Sequence, residues 1–370
     1  MSAPSSKRAR YIMLGGFLGA GKTTAVAALA QHLGAAGLRV GLITNDQGSE
    51  LVDTAMLRSK GFMTEEITGG CFCCRFNTLT DAARKLTDAT RPDVFIAEPV
   101  GSCTDLVATV TYPLRRIYGD SFSIAPLSVL VDPVRAERVL GLAEGGRFSD
   151  KVTYIYRKQL EEADVLVITK SELLDPARLE RLRVALVREY PNADVSAVSV
   201  RTGAGVAEWF AKITSGEQQP RTTMEVDYEL YAEGEALLGW LNATVQLSGG
   251  MFDSETVLKS LAGGIQRRLF GAEIAHLKMT LSPDNGLGDV AAINLVRSDF
   301  VPELSLRLEE PVASGQLILN CRAEAAPELI RDAVTAAVAA LNCDGRRAEI
   351  EHLEFFRPGK PRPTHRDSVA

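Results

Sequence analysis

The chain lacks what several protein classes require. None of its apolar runs approaches the roughly 20 residues of a membrane-spanning helix, so no membrane segment is expected. Basic charge is not in excess. The 41 Lys and Arg stand against 47 Asp and Glu, a net charge of −6, which argues against a dedicated nucleic-acid binder with its basic stripe. Histidine is scarce, and His32, His276, His352 and His365 are scattered, so no histidine-rich metal store is present. Cysteine is scarce too, yet three of the six fall within four residues. That clustering suits metal or redox chemistry better than a disulfide framework and points to a cytoplasmic setting. There is no internal repeat and no low-complexity tract. With 46% hydrophobic residues in 370, the chain has material for a sizeable core and, by length, for two domains.

The strongest positive signal is Gly16-Phe17-Leu18-Gly19-Ala20-Gly21-Lys22-Thr23, a complete G-x-x-x-x-G-K-[ST] loop. An apolar run (11–14) precedes it and an Ala- and Leu-rich helical run (24–33) follows. The glycines permit a tight loop whose N–H groups face phosphate oxygens at a helix N-terminus. Lys22 is placed to reach the β- and γ-phosphates, and Thr23 to ligate Mg²⁺. Strand, loop and helix in order predict binding of a nucleoside triphosphate. Lys7, Arg8 and Arg10 ahead of this run superficially resemble the start of a signal peptide. Cleavage there would destroy the motif, so none is expected.

From residue 8 to 213, short apolar runs (11–14, 39–44, 94–97, 127–131, 165–169, 194–198) alternate with helical stretches such as 23–33, 157–162 and 176–189. This predicts an α/β fold: a doubly wound P-loop NTPase domain with a mainly parallel sheet and ligands at the strands' carboxyl ends. The polar, aperiodic segment 214–226 reads as a linker. Beyond it, 227–358 reads as strand 236–247, helix 254–270, strands 274–281, 289–296, 304–308 and 316–321, helix 327–341 and strand 349–356. That order predicts a smaller α+β domain of ferredoxin-like type. Residues 359–370, rich in proline, read as an extended tail.

Further candidates fall at strand ends. Glu98 closes an apolar strand and is followed by Gly101, a pattern suited to a Mg²⁺-shell or water-orienting carboxylate and a γ-phosphate-sensing switch. Asp46 ends another strand and is a second candidate for the Mg²⁺ shell. Thr169-Lys170-Ser171-Glu172 resembles the N-K-x-D base-reading element of GTPases, with Lys170 against the purine face and Glu172 accepting from guanine. Both outer positions depart from that pattern. Ser199 and Val200, in the loop after the next strand, are placed to supply backbone contacts to the base oxygen.

Gly69-Gly70-Cys71-Phe72-Cys73-Cys74 is the second strong signal. At this spacing two of the three thiolates are expected to reach one ion ideally, with a further ligand from elsewhere. Sulfur ligands select Zn²⁺, Cu⁺ or tetrahedral Co²⁺ over Mg²⁺. A redox switch is the competing reading. Cys103, two residues beyond Gly101, is a candidate extra ligand that would tie metal occupancy to nucleotide state.

G-G-F-L-G-A-G-K-T-T, G-C-F-C-C, E-P-V-G and T-K-S-E, in this order, resemble the CobW-type branch of the metallochaperone GTPases related to HypB and UreG. The segment 228–242, with Gly239-Trp240-Leu241-Asn242, and Phe355-Phe356-Arg357-Pro358 resemble the CobW C-terminal domain. The resemblance implies slow hydrolysis of GTP and delivery of a transition metal, zinc or cobalt, to a client metalloenzyme or cofactor-assembly protein. It implies Gly16, Gly19, Ala20, Gly21, Lys22, Thr23 and Thr24 at the phosphates and Mg²⁺. It implies Cys71, Cys73 and Cys74 at the transition metal, Cys73 first among them, and Glu98 and Gly101 in the second switch. Both a monomer and a nucleotide-dependent homodimer are compatible with it. The sequence departs from the family at 44–49. Relatives carry a stretch resembling E-N-E-F-G-E; here the residues are T-N-D-Q-G-S, with Glu50 displaced by one. Two other classes stay open: a P-loop small-molecule kinase, which leaves the cysteines unemployed, and a nucleotide-bound zinc- or redox-sensing partner protein.

Overall fold

The computed structural model describes residues 8–46, 52–343 and 345–368; Glu50 lies outside them. Strands β1 (Ala9–Gly16), β2 (Val40–Asn45), β3 (Thr64–Ile67), β4 (Val94–Glu98), β5 (Phe122–Ile124), β6 (Ser128–Val131), β7 (Val165–Ile168) and β8 (Asp194–Ala197) form the first sheet. Its order is β3-β2-β4-β1-β6-β7-β8, with β5 paired to β1. Every pairing is parallel. Such strands are buried on both faces and read as continuous apolar runs. In β1, Tyr11 and Met13 enter one core and Ile12 and Leu14 the other. Helices α1 (Lys22–Ala35), α2 (Val52–Ser59), α3 (Phe76–Thr90), α4 (Tyr112–Tyr118), α5 (Pro133–Val139), α6 (Asp150–Glu161), α7 (Pro176–Glu189) and α8 (Val206–Ser215) cover the two faces. Helices α5 and α7 begin with Asp-Pro. The Asp132 and Asp175 side chains accept the N–H of Arg135 and Arg178, caps worth about 1 kcal/mol each.

The segment after α8 runs extended along this unit, tied by Gln218 N–H to Ile124 O at 2.9 Å. The reading of strand from residue 236 is corrected at its start. Helix α9 (Tyr228–Leu237) comes first, capped by Asp227, and strand begins at Leu238 in β9 (Leu238–Ser248). Helix α9 packs on α6 so closely that a Cβ on Gly234 would lie 2.4 Å from Lys151 O. The helix expected at 157–162 is the end of the longer α6.

The second sheet contains β9, β10 (Glu273–Pro283), β11 (Ala291–Leu295), β12 (Glu303–Leu306), β13 (Gly315–Glu324) and β14 (Arg347–Phe356) in the order β12-β11-β10-β13-β9-β14. Helices α10 (Ser254–Arg268) and α11 (Pro327–Ala339) supply the crossovers. With β9, α10, β10, β13, α11 and β14 as the frame, this is the ferredoxin-like arrangement, and β11–β12 is a hairpin added at its edge. Leu277, Met279 and Leu281 of β10 pack into a core with the helices. The alternate residues His276, Lys278 and Thr280 face the other way, with Asn242, Asn320 and Arg322 of the neighbouring strands. All but Lys278 of these six are buried. This polar face is covered by the parallel sheet's carboxyl edge: Val52 N–H donates to Asn320 at 2.9 Å, and Arg322 pairs with Asp46 at 3.1 Å.

Candidate nucleotide and metal site

The loop after β1 has the backbone its glycines allow. Gly16, Gly19 and Gly21 have φ of 127°, 80° and 90°, a region costly for residues with a Cβ. A Cβ on Gly16 would stand 2.4 Å from Leu130 O. Lys22 is buried and donates to Gly16 O at 2.9 Å and Phe17 O at 3.3 Å, folding back over the loop. Burial lowers its pKa, an effect partly offset by Glu98. Thr169 holds the loop from the side, donating to Ala20 O at 2.8 Å, while Lys170 donates to Gly19 O at 2.9 Å. Lys170 also pairs with Asp132 at 3.0 Å. Burial alone would raise that carboxyl, but Lys170, Arg297 and Arg135 hold it at about 2.

A cavity of ≈ 380 Å³ opens above the loop, a size suited to a nucleotide. Gly19, Gly21, Lys22, Thr23, Thr24, Glu98, Gly101, Thr169, Lys170, Glu172 and Val200 line it from the parallel sheet. Ser199 is buried beneath, its Oγ accepting from Thr202 N–H at 3.1 Å. Glu172 lies 4.0 Å from Arg201. The opposite wall belongs to the second sheet and includes His276, Lys278, Asn294 and Phe300. Sequence reasoning confined the site to the first 213 residues. The strand pattern of His276-Leu277-Lys278 was visible, but nothing local says what a strand's polar face covers.

Thr23 Oγ1 lies 2.8 Å from Asp53 Oδ1 and 2.9 Å from Glu98 Oε1. Asp46, the acid expected in the Mg²⁺ shell, lines the same cavity but its carboxylate lies against Arg322. The acid brought to Thr23 is Asp53. The reason is positional: Asp46 follows β2 directly and meets the second sheet, whereas Asp53 rides on the first turn of α2. The Glu98 carboxyl is raised to about 7, by burial first and by Asp53 second. Its Oε2 is buried with no hydrogen-bond partner among the described residues. Three hard oxygen donors with one orphaned oxygen suit magnesium.

The Gly69-Gly70 turn leads into Cys71, and Cys71 O accepts from Cys74 N–H at 3.0 Å and Arg75 N–H at 2.9 Å. This helical turn gathers all three sulfurs, which corrects the expectation that only two converge. The Sγ separations are 2.7 Å for Cys71–Cys73, 3.3 Å for Cys71–Cys74 and 3.7 Å for Cys73–Cys74. Sulfurs bound at about 2.3 Å to one tetrahedral zinc stand ~3.8 Å apart; the Cys73–Cys74 pair has that spacing, and Cys71 would draw back from both to share an ion with them. Cys103, buried, hydrogen-bonds to Cys71, and this contact with those to Cys73 and Cys74 pulls the Cys71 thiol well down. Cys73 and Cys103 are pushed up, the first by its bond to Cys71 and the second by burial.

Two links join the cysteines to the nucleotide cavity, which Asn45 itself lines. Asn45, at the end of β2, donates to Gly70 O at 2.7 Å. Gly101 sits so close to the phosphate loop that a Cβ would meet Leu18 at 2.7 Å, and Cys103 follows two residues later. Gln159 holds that segment, donating to Gly101 O and Cys103 O at 2.9 and 2.8 Å.

The tail is docked on the cluster. Arg362 N–H donates to Cys74 Sγ at 3.2 Å, and Thr364 donates to Cys73 O from its N–H at 2.8 Å and to Cys74 O from its hydroxyl at 3.3 Å. His365 stacks edge-on against Phe76, and Arg366 pairs with buried Asp105 at 2.8 Å. At about 1 kcal/mol per hydrogen bond, removing residues 361–370 is expected to speed Cys74 alkylation by roughly 10- to 100-fold. Mass-spectrometric footprinting at equal reagent dose checks this; unchanged Cys74 labelling would mean the tail offers no protection.

A phosphate-type loop at the centre of an all-parallel sheet, with acids at neighbouring strand ends, defines a P-loop nucleotide-binding protein of the α/β class. Residues 10–196 match the family described as CobW/HypB/UreG, nucleotide-binding domain, and the chain belongs to that family. It is 30% identical over 197 residues to a protein named zinc chaperone CobW from Sinorhizobium sp, covering 45% of this chain and 52% of that protein. It is 28% identical over 195 residues to the zinc chaperone YjiA of Escherichia coli (strain K12), covering 50% of this chain and 56% of that one. These matches thus span about half the length of the relatives. The crystal structure of zinc-bound YjiA GTPase from E. coli aligns over 90% of this chain and 99% of that chain, with TM-score 0.39 and 16% identity, too loose a likeness to transfer a site. No helix among the described residues is long and apolar enough to cross a membrane.

Proposed function

We propose that this protein is a GTP-hydrolysing carrier that binds zinc through Cys71, Cys73 and Cys74 and passes it to a client metalloprotein in the cytoplasm. The observation that carries the reading is the convergence of three thiols, joined to the nucleotide cavity through Asn45–Gly70 and to its loop through Leu18–Gly101–Cys103. Zinc is preferred to cobalt because the relatives named above are zinc chaperones; the sulfur donor set accepts either ion. A kinase reading leaves this cluster without a task.

In this reading Gly16–Thr24 bind the phosphates, and Thr23, Asp53 and Glu98 hold magnesium, which would neutralise charge developing on the phosphates. Lys170, Glu172 and the 199–200 loop form the base end. Glu98, placed at the end of β4, orients the attacking water. Gly101 senses the terminal phosphate and moves Cys103 against Cys71. The metal site therefore tightens in the triphosphate state and loosens after hydrolysis, and by linkage zinc favours GTP over GDP by the same factor.

The test is zinc titration against a chromophoric chelator with Mg·GTP analogue, Mg·GDP or no nucleotide. Zinc affinity at least about fivefold higher in the triphosphate state, the low end of ordinary coupling, is expected. Equal affinities in all three states would end the coupled-carrier reading. A small-molecule acceptor that accelerates turnover would favour the kinase. No hydrolysis with both zinc and a client present would favour a sensor.

A further inference from the structure

Lys278 belongs to the second sheet, 255 residues beyond Thr23, yet its ammonium sits inside the nucleotide site. Nζ lies 2.6 and 2.8 Å from the two Asp53 oxygens and 3.4 Å from Thr23 Oγ1. These are oxygens suited to a divalent cation, and Glu98 shares the same threonine. The side chain is 17% exposed and comes from a strand register otherwise buried. Burial alone would disfavour its charge, but Asp53 and Glu98 more than offset this, so the ammonium is retained. Beside it His276 is 5% exposed, and its Nδ1 has no hydrogen-bond partner among the described residues. The cavity wall thus carries a fixed cation and an unpartnered polar nitrogen, both facing the phosphate loop.

Magnesium on the Thr23–Asp53–Glu98 set would set a divalent cation beside the Lys278 ammonium and draw on the same Asp53 charge, so repulsion favours moving Nζ to another anion within reach of its four-carbon stem. Loop, Lys22 and Gly101 bound the same cavity, and the charge added there by a triphosphate is the terminal phosphate. We propose that Lys278 is a phosphate-sensing residue: it stands on Asp53 in the absence of magnesium and transfers to the terminal phosphate of Mg·GTP, so that the second sheet reads the nucleotide state. This deepens the carrier reading above and rests on its nucleotide half. It gives the second sheet a task and adds a positive charge beside Lys22 at the phosphate end of the cavity.

The experiment compares wild type, Lys278→Met and Lys278→Arg in binding guanosine 5′-[β,γ-imido]triphosphate and GDP, both with magnesium, by calorimetry. A charge-assisted contact to phosphate predicts that Lys278→Met weakens triphosphate binding by roughly 10- to 100-fold while GDP binding changes little. Arginine should restore most of the difference. Hydrogen exchange of 52–59 and 273–283 in wild type should differ between Mg·GDP and the Mg·triphosphate analogue, a readout independent of turnover. If Lys278→Met fails to fold, the double variant Asp53→Asn/Lys278→Met removes both buried partners, and wild-type exchange remains decisive. Equal losses for both nucleotides, or no loss with identical exchange in the two states, would overturn the proposal alone. Absence of any nucleotide binding by wild type would overturn the carrier reading with it.

Discussion

Glu98→Gln is expected to separate three quantities that wild type combines. Hydrolysis of GTP should fall ~10²-fold or more, because the residue proposed to orient the attacking water loses its charge. Mg·nucleotide binding should weaken by only roughly tenfold, since Thr23 and Asp53 remain. Stability of the nucleotide- and magnesium-free protein should rise above neutral pH. The physical cause is the cost of keeping Glu98 ionised where Thr23 is its neighbour and Oε2 has no partner. Its carboxyl is raised from 4.5 to about 7, by burial first. Below about pH 4.5 the group is protonated in folded and unfolded chains alike, and the substitution is neutral. Between 4.5 and 7 only the unfolded chain ionises it, so wild type loses stability progressively as pH rises. Above 7 the difference levels off at ~3 kcal/mol in favour of glutamine. Denaturant melts at pH 4.5, 6 and 8, beside single-turnover hydrolysis, measure all of this. A pH-independent difference in stability would mean Glu98 is not held out of its ordinary range. Undiminished hydrolysis would remove it from the chemistry.

Cys71→Ser should be the most damaging change at the metal site. Its sulfur is the common neighbour, 2.7 Å from Cys73 and 3.3 Å from Cys74, and it is the thiol most readily ionised. If ~12 kcal/mol of zinc binding is divided among three or four ligands, one ligand accounts for a factor of roughly 10²–10³ in affinity. Cys73→Ser should behave similarly. Cys103→Ser should cost about tenfold and should shrink the difference between GTP and GDP states, because of the four it alone lies on the segment that touches the phosphate loop. GTP affinity without zinc should be unchanged in all three. Equal zinc affinity for Cys71→Ser and wild type would dissolve the thiol site. A Cys103→Ser protein with wild-type nucleotide dependence would confine coupling to the Asn45–Gly70 link.

The protein treats its two sheets differently, and the difference explains where inference from sequence stopped. Asp46 and Asp53 are seven residues apart, one directly after β2 and the other on the first turn of α2. Arg322 and Lys278, on strands far along the chain, decide between them: each aspartate meets one cation of the second sheet. Asp132 is held similarly by Arg297 at 2.9 Å. No local pattern encodes such pairings, since they depend on how the ferredoxin-like face is laid over the parallel sheet. The tail is a second case. Residues 361–368 look like a proline-rich end, and only the packed structure sets Arg362 and Thr364 on the cysteines.

What the residues alone determined were features whose physics is local. The phosphate loop needs glycines at positive φ beside a lysine and a threonine, so it is written contiguously. Parallel strands buried on both faces appear as short apolar runs, which made the α/β class readable. The ferredoxin-like reading came from the order of apolar strands and two amphipathic helices along the chain. The G-C-F-C-C turn declared soft-metal chemistry by composition. Tertiary structure decided which acid stands beside Thr23, that all three sulfurs converge, and that the far wall of the nucleotide cavity belongs to another sheet. The sulfurs converge through a local turn whose conformation the spacing left open; the acid and the far wall depend on contacts between residues hundreds of positions apart, where burial and charge pairing choose the partner.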